Sequence, residues 1–161
     1  MAAAAADPRN QRAPIRTISR RRWAAAAAPR ILASMASVHP KVFIVDDSPS
    51  MRVRLSELLG EIDGLDVVGE AGTPADAIDG ILRVHPQYVL LDYQLEGGTG
   101  LDVLRAVHPQ APGVVFIVLT NHATPQYRRA CIEAGAQHFL DKSSEFGRIK
   151  EVIAGLEAAP H

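Results

Sequence analysis

The chain is short of cysteine, of long apolar runs and of phosphate-loop signatures. Its single cysteine, Cys131, excludes an internal disulfide framework and a cysteine-based metal site. No apolar run approaches the roughly 18 residues that cross a bilayer, so no membrane partner is expected. Gly97-Gly98-Thr99-Gly100 is the densest glycine cluster, but no Gly-Lys-Ser/Thr follows it, so it is not a P-loop. Positive charge is scarce after the first quarter of the chain. Residues 41–161 carry ten basic and seventeen acidic groups, whereas residues 1–40 carry seven arginines and one acid, Asp7. An acidic folded segment argues against nucleic acid as its main partner.

Residues 1–37 are of low complexity, with Ala2–Ala6 and Ala24–Ala28 among scattered Arg and Pro. Their large apolar residues are too few to offset chain entropy, so a disordered arm is expected. Ser19-Arg-Arg-Arg-Trp23 before an alanine run is reminiscent of a twin-arginine export signal, and the Arg-rich composition of a transit peptide. Pro29-Arg30 interrupts the apolar stretch and argues against export. A misplaced start, with Met35 as the true first residue, is the other reading. A cytoplasmic location fits the cysteine usage.

From residue 41 short apolar runs alternate with amphipathic stretches, the pattern of buried parallel strands in an α/β sheet. Strands are predicted at Lys41–Val45, Leu65–Glu70, Gln87–Asp92, Val114–Thr120 and Ala136–Leu140. Helices are predicted over Pro49–Ile62, Thr73 to about His85, Leu101–Val107, Thr124 to about Gly135, and Ser144–Leu156, with a loop at Gly97–Gly100. The crossovers have the length that parallel pairs require.

In such a sheet the carboxyl ends of the strands face one crevice. Asp46-Asp47, Asp92, Thr120 and Lys142 therefore converge there. Each alone has a plain structural explanation: Asp46 or Asp47 caps the next helix, Asp92 forms a turn, Lys142 is solvated. Together, three carboxylates, a hydroxyl and an ammonium suit a divalent cation and a phosphoryl group. An oxygen-only site that also uses phosphate oxygens suits Mg²⁺ rather than Ca²⁺.

Four stretches carry a resemblance. They are Val42-Phe-Ile-Val-Asp-Asp-Ser-Pro-Ser-Met-Arg52, Val89-Leu-Leu-Asp-Tyr-Gln-Leu-Glu-Gly-Gly-Thr-Gly-Leu-Asp-Val-Leu104, Val118-Leu-Thr-Asn121 and Ala134-Gly-Ala-Gln-His-Phe-Leu-Asp-Lys142. Residues 40–158 resemble the receiver domain of two-component response regulators. The resemblance implies a doubly wound, flavodoxin-like five-stranded parallel sheet of order 2-1-3-4-5, with helices on both faces. It implies Asp92 as the phosphoacceptor, taking its phosphoryl group from a histidine kinase or phosphotransfer protein. Mg²⁺ would be held by Asp47, Asp92 and the backbone carbonyl of Gln94, with Asp46 on a metal-bound water. Lys142 would pair with the phosphoryl oxygens and Thr120 would donate to one. Thr120 moving toward the phosphoryl group would let Phe139 turn inward and repack the fourth helix and fifth strand, where Gln126, Tyr127 and Arg129 are expected to be exposed.

The chain departs from the family at Leu95-Glu96, where Met-Pro is frequent, and at Asn121, whose bulk is expected to narrow the approach to Asp92. Gln94 and His122 stand where members vary. With the chain ending at His161, output is expected through an unidentified downstream protein or a phosphorelay, without direct DNA binding. Two other readings stay open. One is a small Mg²⁺-dependent phosphatase with an aspartyl nucleophile, which would usually carry a second Asp where Gln94 stands. The other is a receiver used only for docking.

Overall fold

The computed structural model describes residues 39–158; the Ala/Arg-rich arm and the alternative start at Met35 lie outside them. The strands are β1 (Lys41–Val45), β2 (Asp66–Ala71), β3 (Tyr88–Asp92), β4 (Gln94–Leu95), β5 (Gly98–Thr99), β6 (Val115–Thr120) and β7 (His138–Asp141). The helices are α1 (Pro49–Gly60), α2 (Pro74–Val84), α3 (Gly100–Val107), α4 (Pro125–Glu133), α5 (Lys142–Glu145) and α6 (Arg148–Ala158).

Five strands form one sheet in the order β2-β1-β3-β6-β7, and its pairings are all parallel. This is the expected doubly wound arrangement. Every residue of β3 is buried, as a central strand covered on both faces requires. Alternate residues of the strands feed two apolar clusters. Val89, Leu91, Phe116 and Val118 pack with residues of α2, α3 and α4, among them Ile81, Leu104 and Cys131. Leu90, Ile117 and Leu119 pack on the other face with Leu55 and Leu59 of α1 and Ile149 and Ile153 of α6.

The helix starts follow from local chemistry. Ser48, Thr73 and Thr124 each accept a hydrogen bond from a first-turn N–H, and each precedes a proline. Thr99 and Asp102 form a reciprocal capping box for α3. One core contact relies on two missing side chains. A Cβ on Gly69 would stand 2.5 Å from the Phe43 ring, and one on Gly80 would stand 2.6 Å from it. The ring fills the space between β2 and α2 that these glycines leave open.

Two elements differ from expectation. The segment after Asp92 is a two-stranded antiparallel hairpin, β4–β5, where a loop was predicted. Leu95, in place of the frequent Met, is buried in the first cluster. The last helix begins earlier than predicted and is broken in two. Asp141 accepts from the N–H groups of Ser143 and Ser144, starting α5 at Lys142. Phe146, between the two pieces, packs in the second cluster and lies under the Arg54 guanidinium, 4.6 Å from its ring centroid.

Candidate functional site

Parallel register brings the strand ends together. Val45 of β1 stands beside both Ala71 and Leu91, Asp92 beside Leu119, and Thr120 beside Asp141. The next residues outward are Asp46, which donates its N–H to the Ala71 carbonyl at 3.0 Å, then Asp47. Asp46 is 1% exposed, Asp92 8%, Thr120 1% and Lys142 7%, while Asp47 is open to solvent. Burial of four polar groups at one sheet edge is costly unless they satisfy one another.

Asp46 and Asp92 do so through Lys142. Its Nζ donates to Asp46 Oδ2 at 2.5 Å and to Asp92 Oδ2 at 3.0 Å. The remaining oxygens take backbone donors: Asp46 Oδ1 from the Ser48 N–H at 2.9 Å, and Asp92 Oδ1 from the Gln94 N–H at 3.3 Å. Burial pushes the Asp92 carboxyl above its ordinary pKa, because the charge and hydrogen bond of Lys142 offset desolvation only in part. Burial alone would lower the Lys142 ammonium. Its hydrogen bond to Asp46 and the charge of Asp92 outweigh that, and it is held above its ordinary value.

Oxygens of Asp46, Asp47 and Asp92 lie within 4.8 Å of one another. Three carboxylates against one ammonium leave two negative charges uncompensated. The donor set therefore fits a divalent cation, and all-oxygen ligation suits Mg²⁺. A groove of about 690 Å³ lies elsewhere, along α4 between Ala123 and Glu133.

The other expected residues fall as follows. Thr120 Oγ1 accepts from the His122 N–H at 3.1 Å, leaving its own hydrogen free to donate. Gln94 joins the hairpin opposite Thr99, with its N–H toward Asp92. Phe139 corrects an expectation: its ring is already inward, 3% exposed and in the cluster with Val118 and Cys131. The Arg128 guanidinium covers it at 4.9 Å from the ring centroid and donates to the Phe139 carbonyl at 3.3 Å. An inward turn is thus not a step that starts from this conformation. Tyr127 is a second correction. It is half-buried because its ring stacks on Tyr93, centroids 4.2 Å apart and planes 12° from parallel. Gln126 and Arg129 are exposed as expected. Nothing in the sequence signals this stack or a role for Arg52, although Tyr93 and Arg52 lie inside the stretches that carry the family resemblance.

Among the described residues no helix is long and apolar enough to cross a membrane. Residues 42–154 match the family described as the response regulator receiver domain. The chain is similar to the nitrate/nitrite response regulator protein NarP of Escherichia coli, with 39% identity over 70% of this chain and 53% of that protein. It is 35% identical to the DNA-binding transcriptional activator DevR/DosR of Mycobacterium tuberculosis, over 71% of this chain and 55% of that protein. A LuxR-family two-component response regulator from Aurantimonas superposes with a TM-score of 0.70 at 25% identity, covering 74% of this chain and 85% of that one. The chain spans about half the length of the curated relatives it matches. The expectation that DNA is no direct partner is overturned by these relatives, one of which is DNA-binding by name. The acidic balance of residues 41–161 describes the surface of this segment alone. It carries no information about the partners of a longer protein that includes such a segment.

Proposed function

This chain belongs to the response regulator receiver family, and on that premise we propose that it is a phosphorylation-driven signalling switch whose acceptor is Asp92. The observation that carries the reading is Lys142, buried and shared between Asp46 and Asp92 at the carboxyl edge of the sheet. A carboxylate whose ionised form is disfavoured by burial gains from an incoming cation.

The donor is a phosphohistidine on a histidine kinase or phosphotransfer protein. One Asp92 oxygen bonds to phosphorus as the P–N bond breaks. The electron pair of that bond stays on the imidazole nitrogen, which takes a proton. Asp46, Asp47, Asp92 and the backbone carbonyl of Gln94 would hold Mg²⁺, which supplies charge neutralisation and alignment. Phosphoryl transfer needs little else from a protein. Lys142 turns its ammonium from the bare carboxylates to the phosphoryl oxygens, and the Thr120 hydroxyl donates to one of them. Val118 stands beside Phe139 in the β6–β7 register, so a shift of Thr120 bears on Phe139 and, through it, on Arg128 of α4. The protein acts on its own phosphoryl group rather than turning over a free substrate, and works in the cytoplasm. Its relatives are transcriptional regulators by name, and we extend that output to this chain through contacts made by the phosphorylated receiver.

The test is transfer from a phosphohistidine-bearing protein to the full chain. Label should move in Mg²⁺ and stop in chelator. Failure to accept label from such a protein and from a small phosphoramidate alike would contradict the reading.

A further inference from the structure

The Asp46-Asp47 peptide is held from behind by a side chain outside the acidic cluster. Arg52, in the first turns of α1, donates from Nη1 to the Asp46 carbonyl at 2.5 Å and from Nε to Glu70 Oε1 at 3.1 Å. Its own N–H donates to the Ser48 carbonyl at 3.0 Å. The guanidinium crosses a bare piece of backbone. A Cβ on Gly72 would lie 3.2 Å from Nη1, and 3.6 Å from both the Asp46 carbonyl oxygen and the Asp47 Cα. The bond to the Asp46 carbonyl is half-buried, whereas the bond to Glu70 lies at the surface.

Asp47 differs from its neighbours. Asp46 and Asp92 are buried and oriented by Lys142, whereas Asp47 is exposed. The direction of its carboxylate is set by the peptide from which it hangs. One side of that peptide is fixed where Asp46 meets Ala71, the other by the Ser48 cap of α1, and its carbonyl by Arg52.

We propose that Arg52 is a positioning residue for the cation site, and that Glu70 orients it. The guanidinium fork locks the Asp46-Asp47 peptide and so aims the Asp47 carboxylate at the ion. The inference rests on reading the acidic cluster as a Mg²⁺ site. A planar fork serves two acceptors at once, which a lysine ammonium on a flexible stem does not reproduce.

Arg52 exerts two effects of opposite sign. Its positive charge repels a cation, so removing it by charge alone would tighten Mg²⁺ binding. Its hold on the peptide preorganises a ligand, so removing it by geometry loosens binding. Groups behind metal ligands typically contribute about 10–100-fold in affinity, and positioning is the effect expected to win.

The experiment is Mg²⁺ titration of the full native chain and of Arg52→Ala, Arg52→Lys and Glu70→Gln, read by calorimetry and by melting temperature. Arg52→Ala should weaken Mg²⁺ about tenfold, Arg52→Lys less, and Glu70→Gln least. The weakening should persist at about 1 M salt, where charge effects are screened beyond about 3 Å. Equal or tighter binding by folded Arg52→Ala overturns the inference. Should that variant not fold, equal or tighter binding by Arg52→Lys overturns it as well. A native chain that binds no Mg²⁺ removes the reading of the site itself. Native binding with unchanged variants removes only the role of Arg52.

Discussion

Lys142 lies fifty residues from Asp92 in sequence, yet its Nζ stands 3.0 Å from the Asp92 carboxylate. The same nitrogen donates to Asp46. One ammonium therefore balances part of the charge of an acidic cluster and remains within reach of any group that joins Asp92.

Lys142→Met should leave two buried carboxylates without their cation. Breaking a buried pair in this way typically costs about 3–5 kcal/mol. Denaturant unfolding in chelator should show a loss of that order, and Mg²⁺ should restore more stability to the variant than it adds to the native chain. An unchanged midpoint would mean that Lys142 is not the counter-charge of the cluster.

Asp92→Asn should stabilise the cation-free protein. The folded pKa of Asp92 lies above its ordinary value of 3.8. The stability it contributes is complete below that ordinary value and is lost as pH rises through the folded one, so at neutral pH its ionised form is a net cost. The difference in stability between variant and native chain should grow as pH rises from about 3.8 through the raised folded pKa, then stay level. Melting curves across that range decide it, and a difference that shrinks over the same range contradicts the direction.

Gly80→Ala should destabilise the fold by about 1–3 kcal/mol, the usual cost of overpacking a core. Alanine is the better helix former by about 1 kcal/mol. The Phe43 ring lies in the way, however, and Gly69 closes the other side. A raised melting temperature would show that the ring has room to move.

These effects also show which parts of the molecule could be read from its residues. The alternation of strands and helices was legible in the apolar runs, and parallel crossovers align their ends, where Asp46, Asp92 and Lys142 meet; the strand order itself was implied by the receiver-domain resemblance. Ser48, Thr73 and Thr124, each before a proline, marked three helix starts for purely local reasons. The β4–β5 hairpin was not legible, since two-residue strands leave no periodicity. The early start of α5 depends on which N–H groups the Asp141 side chain captures. The inward ring of Phe139, the Tyr93–Tyr127 stack and the reach of Arg52 are set by tertiary packing, which spacing in sequence does not encode. The expectation about DNA failed for a different reason: a charge balance characterises the segment counted and nothing attached to it.

Tyr93 follows Asp92 directly and stacks on Tyr127 of α4. A double-mutant cycle with Tyr93→Leu and Tyr127→Leu should give a coupling energy of about 0.5–1.5 kcal/mol, as for other aromatic pairs. Additive effects of the two substitutions would reduce the stack to chance proximity.

The central claim is that Asp92 carries the phosphoryl group. After exposure to a phosphohistidine donor in Mg²⁺, borohydride reduction converts an acyl phosphate of aspartate to homoserine, which peptide mass spectrometry locates. Homoserine at position 92 in the native chain, absent from Asp92→Asn and from chain held in chelator, is the predicted result. Homoserine at Asp46 or Asp47, or phosphate that remains on Asp92→Asn, would contradict it.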